Sequence, residues 1–445
     1  MLFAHGLVQR ANLPIPEWLF GWAAALVLLV SFVALALLWP EPKLTADRWR
    51  PLPGALGRAP GSRPVEIACG AIGVVLLGLV VVAGLGGTQS PLDNFAPSFV
   101  FIVFWVGLVF ASAVLGNVFA GFSPWRALGR ATGWALTRAR GGSPLRHRPY
   151  PDRLGRWPAV AGVFGFTWIE LASDWSEDPR MLAVAVLGYT AITLAGQGVF
   201  GVETWTRRGE AFAVYFDLFA RIAPFERRGG VVGIRPPLAG LPRLDVVPGT
   251  VALILVMIGT VTFDGLSQGR LWTDLTGEAA LDAPRLVNTI GLLVGVALVS
   301  CFYALGVAGA RSVGGDLNAA ALRRAFVHSL VPIAMVYVAA HYLTFLLFEG
   351  QSIAYLASDP LGEGWDLFGT AGAAIDYGAL SQNQAWYLQV GFVVLGHVAA
   401  LVLAHDRALA LYPRSRLAVR SQYWMLAVMV GFTTLALWLL AAAQG

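Results

Sequence analysis

The feature that most constrains this chain is how its charged residues avoid ten windows of bilayer length. A helix rising about 1.5 Å per residue needs roughly 20 apolar residues to cross a hydrocarbon core of about 30 Å. Windows free of Asp, Glu, Lys and Arg cover approximately 18–39, 67–86, 99–122, 181–200, 246–263, 286–307, 325–348, 386–404 and 423–443. A tenth, 157–173, is shorter and carries Glu170. The pattern predicts an all-α polytopic membrane bundle of about ten transmembrane helices, forming one domain over 1–445.

Residues not used to find the windows fix the expected orientation. Of the 31 Lys and Arg residues, 27 fall in alternate loops, at 40–66, 123–156, 201–245, 308–324 and 405–422. Only Arg10, Arg180, Arg270 and Arg285 fall on the other side. Basic residues are retained on the cytoplasmic side, so both termini are expected to face outward, away from the cytoplasm. Trp18, Trp39, Trp125, Trp157, Trp386 and Trp438 lie near window ends, where an indole keeps its N–H in the headgroup layer. The overall balance agrees, with 57% hydrophobic and 13% charged residues. Soluble chains carry about a quarter charged residues. The net charge of +5 is a matter of loop placement and gives no ground for a nucleic-acid partner.

Two loops are more than connectors. Within the loop 201–245, the stretch from Ala211 to Ala223 is too short to span and sets Asp217 and Arg221 four residues apart, which predicts an interfacial or re-entrant helix. The outer loop 349–385 holds Glu349, Asp359, Glu363, Asp366 and Asp376 without Lys or Arg, fitting either a lid over an outward cavity or an ordinary external loop. The first residues lack the charged and apolar regions of a secretory signal. The short Leu2-Phe-Ala4 before His5 would resemble the end of a cleavage site if the true start lay upstream.

Several chemistries are excluded. Cys69 and Cys301 lie in apolar windows and build neither a disulfide framework nor a zinc knuckle. No G-x-x-x-x-G-K-[ST], H-E-x-x-H or C-x-x-C is present. Gly291 and Gly295 form a G-x-x-x-G pair explained by helix packing. Asp93, Asn94, Asn117, Gln197 and Gln389 are explained most simply as helix bridges.

What remains is a handful of ionisable side chains at membrane depth, where they are costly and by default face the bundle interior. Counting at about 1.5 Å per residue, His341 lies roughly 12 Å inward of Glu349, and His397 roughly 16 Å inward of Trp386. The two are therefore expected in the outer half of the membrane at matching depth. Glu170, near the outer end of its window, and Asp264, just past the end of 246–263, are the carboxylates that could join them. Two imidazoles with one or two carboxylates suit zinc, iron or manganese, and a bound water would supply hydroxide at neutral pH. The competing reading gives each histidine a packing role, hydrogen bonded to a neighbouring carbonyl or hydroxyl. His328 and His405, near the cytoplasmic window ends, are expected to be structural.

Several segments carry a family resemblance. They are Ala4-His-Gly6 with Leu13-Pro-Ile-Pro16, Phe104-Trp-Val-Gly107, Ser123-Pro-Trp-Arg126, Gly209-Glu-Ala-Phe212 with Tyr215-Phe216, Phe263-Asp-Gly265, Ala340-His-Tyr342, Ser358-Asp-Pro360, and Gly396-His-Val398 with Ala404-His405. Together they resemble a bacterial integral-membrane family labelled fenitrothion hydrolase-like. The resemblance implies hydrolysis of aryl phosphorothioate esters, and no catalytic residues carry over with it.

These readings combine into an expectation of metal-assisted hydrolysis of organophosphate-like esters at an outward-facing site. His341 and His397 would bind the metal, and Asp264 or Glu170 would complete its shell or act as base. Partners would be the bilayer, a small hydrophobic substrate, and a membrane subunit or a second copy of the chain. The alternatives from other classes are a secondary transporter or ion/proton permease using the same side chains, and a non-catalytic membrane subunit. The absence of internal repeats and of a clearly broken helix argues mildly against transport.

Overall fold

The computed structural model describes residues 17–314, 317–412 and 414–442. His5, Arg10, the segment 13–16 and the side chain of Trp18 lie outside the described residues.

The apolar windows become long helices because a backbone without water must satisfy its N–H and C=O groups internally. The main helices are α1 (Glu17–Leu38), α2 (Arg63–Gly86), α3 (Phe95–Leu115), α4 (Trp157–Ala172), α5 (Pro179–Phe200), α6 (Ala211–Ala220), α7 (Thr250–Ser267), α8 (Pro284–Ser312), α9 (Ala319–His341), α10 (Gln382–Leu411) and α11 (Tyr423–Ala442). Among the described residues, nine helices are long and apolar enough to cross a membrane, which leaves out α4 and α6. At 16 residues, α4 rises only about 24 Å, short of a bilayer core of about 30 Å.

Helix α7 is the centre of the bundle. Of its apolar window 78% is buried, against 22% for α1. It packs on α4, α8, α9 and α11, while α1 lies outside against α10 and α11. Gly259 sits against the backbone of Val296, and Gly291 and Gly295 of α8 sit against Phe263 and the Gly259 carbonyl. The G-x-x-x-G pair is thus a close-packed seam, with no room for a side chain on either helix.

Three helices depart from the windows. In α3 the turns from Phe99 to Gly107 are π-helical, and the helix stops at Gly116, whose φ of +88° suits glycine. The window continues to Phe122, but 119–122 is a separate turn. Helix α7 runs four residues beyond its window, so Asp264 lies inside it. Helix α9 is interrupted by a 3₁₀ turn at Val327–Ser329 and stops at His341, after which Leu343–Leu347 forms a separate short helix.

The arginine-rich face carries the only strands among the described residues. β1 (Arg50–Pro51), β2 (Phe225–Arg228) and β3 (Val231–Ile234) form an antiparallel sheet in the order β1-β3-β2. Gly229 and Gly230, at φ +55° and +83°, make the tight turn between β2 and β3. Around the sheet, Asp47 pairs with Arg228 and Arg243, Glu66 with Arg130 and Arg227, and Glu203 with Arg126 and Arg130. The hydrogen bond from Arg228 holds the Asp47 carboxyl down at about 2. Glu203 is partly desolvated, yet the Arg126 and Arg130 guanidinium groups keep it below the usual carboxylate range.

Candidate functional site

The site forms where α7 meets the broken end of α9. Asp264 is 0% exposed. Its Oδ2 accepts a hydrogen bond from the Tyr342 hydroxyl at 2.6 Å and lies 2.8 Å from His341 Nε2. Tyr342, at φ −99° and ψ 11°, ends the helix. That break lets two consecutive residues reach one carboxylate oxygen, whereas neighbours on an intact helix diverge by about 100°.

The carboxylate also explains why α7 outruns its window. A charge-free window must stop before Asp264, but a buried carboxylate is tolerated when donors meet it. Tyr342 was the missing participant. Its sequence signal is weak, an aromatic hydroxyl beside a histidine at membrane depth.

Glu170, on the last turn of α4, is buried at 6% exposure, and its Oε2 has no hydrogen-bond partner among the described residues. It lies within electrostatic reach of Asp264, Tyr342 and Tyr215. Tyr215 belongs to α6, which is folded into the bundle against α3 and α4 with every residue but Asp217 buried. The Tyr215 ring stacks on Trp105 of the π-helical stretch, with centroids 4.4 Å apart. Glu210 caps α6 by accepting from the amides of Phe212 and Ala213, and its Oε1 also receives the Tyr189 hydroxyl at 2.5 Å. The sequence expectation of an interfacial or re-entrant helix thus corresponds to an element buried on nearly all sides, walling the polar cluster from the arginine-rich face.

His341 is the cluster's accessible member, its side chain 17% exposed. It lines a cavity of about 30 Å³ together with Val261, Gly265, Tyr337 and Val393. That is room for about one water.

His397 does not join this group. It is fully buried, with Nδ1 2.7 Å from the Val393 carbonyl and Nε2 without a hydrogen-bond partner among the described residues, and its ring lies near Phe432. Gln389 of α10 bonds to the Ala340 carbonyl, whereas Gly396 abuts Val336. His397 therefore stands beside the Val336 level, five residues and so about 7.5 Å along the helix from His341. The expected match in depth was measured from the window ends, but α9 stops at His341 and α10 begins four residues before Trp386.

Among the described residues no three His, Cys, Asp or Glu side chains converge in a metal-ligand arrangement. His341 faces Asp264 through one nitrogen, and His397 uses one on a carbonyl. Among the described residues His341, His397, Asp264 and Glu170 are therefore not gathered around one point.

Most of the other singled-out residues bridge or brace, whereas Gln197, expected to bridge helices, has no hydrogen-bond partner on its side-chain oxygen or nitrogen among the described residues. His405 lies between Gln422 Oε1 and the Trp39 carbonyl, tying α1, α10 and the approach to α11. Next to it, buried Asp406 accepts from Trp39 Nε1 and the amides of Lys43 and Leu44. Asn94 donates to the carbonyls of Ala83 and Thr88, and Asn117 donates to Asp217. In the outer loop, Asp359 accepts from the amides of Glu363 and Gly364. Asp366 accepts from Ser358 Oγ and the Ala371 amide, Asp376 from the Gly378 amide, and Glu349 from the Tyr377 hydroxyl. These carboxylates hold turns in place, as Asx-type bonds do.

Comparison of the chain with protein-family models, with curated proteins and with solved structures gives no match.

Proposed function

We propose that this chain is a multi-pass protein of the bacterial plasma membrane in which the short α4 makes a tenth crossing beside the nine long helices, putting both termini outside, and that the Asp264 cluster is the proton-exchanging site of a secondary permease. The observation that carries the reading is the Asp264 carboxylate, wholly buried in the innermost helix and in contact with His341 and Tyr342 at a helix break. Ionisable groups inside a membrane bundle mark ion and proton paths, and transporters place them where helices are interrupted. His341 sits between the interior and a water-sized cavity, so it can pass a proton between water and Asp264. Glu170 extends the path towards Tyr215 and α6. The broken α9 also removes one of the two expectations that weighed against transport, the absence of internal repeats remaining.

A second reading is hydrolysis, favoured by one observation besides the resemblance to the fenitrothion hydrolase-like family. A carboxylate beside an imidazole is the arrangement of an oriented general base, and the cavity holds about one water to activate. It offers far less room than the roughly 300–1,000 Å³ of a small-molecule pocket. The permease reading is therefore preferred.

One preparation separates the two. The protein is reconstituted in liposomes, a pH gradient is imposed with valinomycin present, and internal pH is followed with a trapped dye. Nitrophenol release from fenitrothion is measured on the same vesicles. Proton flux that disappears in Asp264→Asn and His341→Gln supports the permease. Flux no greater than that of empty liposomes, with nitrophenol release that depends on Asp264, replaces it by the hydrolase.

A further inference from the structure

A cleft of about 340 Å³ opens on the arginine-rich face between the end of α8 and the start of α9. One wall is formed by Ala304, Val307, Ala308 and Arg311 of α8, and the other by Ala319 and Arg323 of α9. The first set recurs at i, i+3, i+4 and i+7 and the second at i and i+4, so each wall is a single helix face. The Tyr303 hydroxyl of α8 donates to the Arg323 carbonyl at 2.6 Å and ties the two walls together.

The charged and apolar parts of the cleft lie at different depths. Helix α8 has 29 residues and rises about 43 Å, more than a hydrocarbon core of about 30 Å. Arg311 is the first charged residue after the apolar run that starts at Leu286, so it stands at headgroup level. Ala304 lies about 10 Å back along the helix axis, on the hydrocarbon side. Ala304 and Ala308 are exposed, which leaves the apolar wall open to an occupant.

The two arginines also differ from their neighbours. Arg126, Arg130, Arg228 and Arg243 on the same face each meet a carboxylate. The Arg311 and Arg323 side chains are exposed and form no ion pair among the described residues. Guanidinium groups bind phosphate oxygens through paired N–H donors, and an alkyl-lined groove behind them suits the chain of an amphiphile. A zwitterionic lipid would bring its own cation to a cleft whose described residues offer no carboxylate to receive it. We propose that the cleft binds a phospholipid of net negative charge, its phosphate between Arg311 and Arg323 and an acyl chain along Ala304 and Ala308. Basic pockets between transmembrane helices hold lipid headgroups by the same chemistry. The proposal rests on the membrane reading of the bundle and is independent of proton exchange at Asp264.

The test uses the full-length protein in detergent. Native mass spectrometry compares retention of phosphatidylglycerol and phosphatidylcholine, and calorimetry measures binding of inorganic phosphate. Phosphatidylglycerol is expected to be retained roughly tenfold better. That preference should be lost when Arg311→Gln and Arg323→Gln are combined, and kept in Arg138→Gln, an exposed arginine that does not line the cleft. Ala308→Phe, which fills the apolar wall, is expected to lower phosphatidylglycerol retention with both arginines in place. All four substituted positions are exposed, so the variants keep the fold. Equal retention of the two lipids overturns the proposal. So does a preference lost as fully in Arg138→Gln as in the double variant, the mark of a diffuse basic surface. Inorganic phosphate binding that depends on Arg311 and Arg323, with lipid retention unchanged in Ala308→Phe, identifies a free anion and overturns it as well.

Discussion

Two regions of this molecule use carboxylates in opposite ways. On the arginine-rich face, Asp47, Glu66 and Glu203 each meet two guanidinium groups at a partly exposed surface. At the α7–α9 junction, Asp264 has no exposure and meets an imidazole and a phenol. Guanidinium partners stay charged at every accessible pH, so the surface set is locked into one state. The buried set holds no guanidinium, and an imidazole can donate or accept through either ring nitrogen, so this set can exchange a proton. The difference separates charge used as scaffold from charge placed for function.

Substitutions should scale with that contrast. Asp264→Leu should have the largest effect, because it leaves His341 and Tyr342 without their acceptor. Breaking such a buried pair costs about 3–5 kcal/mol, read as a large fall in the thermal midpoint in detergent together with loss of proton flux. Tyr342→Phe removes one charge-assisted bond and should cost about 1.5–3 kcal/mol while leaving the His341 contact in place. Gly259→Ala tests the seam that positions Asp264. Its new Cβ would stand 2.5 Å from the Val296 Cα, an overpacking that costs about 1–3 kcal/mol in unfolding experiments.

Asp47→Asn should have the smallest effect, a slight fall in the midpoint that vanishes in high salt. Its pH signature has a definite sign. The folded carboxyl sits at about 2, below its ordinary value. Its stabilising contribution is therefore present above the unfolded value near 4 and is lost as pH falls through about 2. Wild type and Asp47→Asn should converge in thermal midpoint at that acid end. A surface variant as damaging as Asp264→Leu would erase the distinction between the two regions.

Much of the bundle was legible from charge avoidance alone. Charge marks solvent, and the windows at 67–86 and 181–200 end within a few residues of α2 and α5. The same rule failed at Asp264, because it cannot see that partners from α9 satisfy a carboxylate. It failed again at Tyr342, since an apolar run reads as continuous whether or not the helix turns aside. The depth comparison of His341 with His397 inherited that error. The β2–β3 hairpin was within reach, because Gly229-Gly230 between Phe225-Glu-Arg-Arg228 and Val231-Val-Gly-Ile234 is a tight-turn signal. The link from Glu170 through Tyr215 to Tyr342 depends on where α6 folds, which no local pattern encodes.

The central claim is that Asp264 exchanges a proton with water through His341. Infrared difference spectroscopy across a pH step, in hydrated proteoliposomes, addresses that carboxyl directly. The account predicts a carboxyl stretching band that responds to the pH step in the wild type, persists in Glu170→Gln, disappears in Asp264→Asn and changes in His341→Gln. A wild-type spectrum with no titrating carboxyl, or a band that survives unchanged in Asp264→Asn, would contradict it.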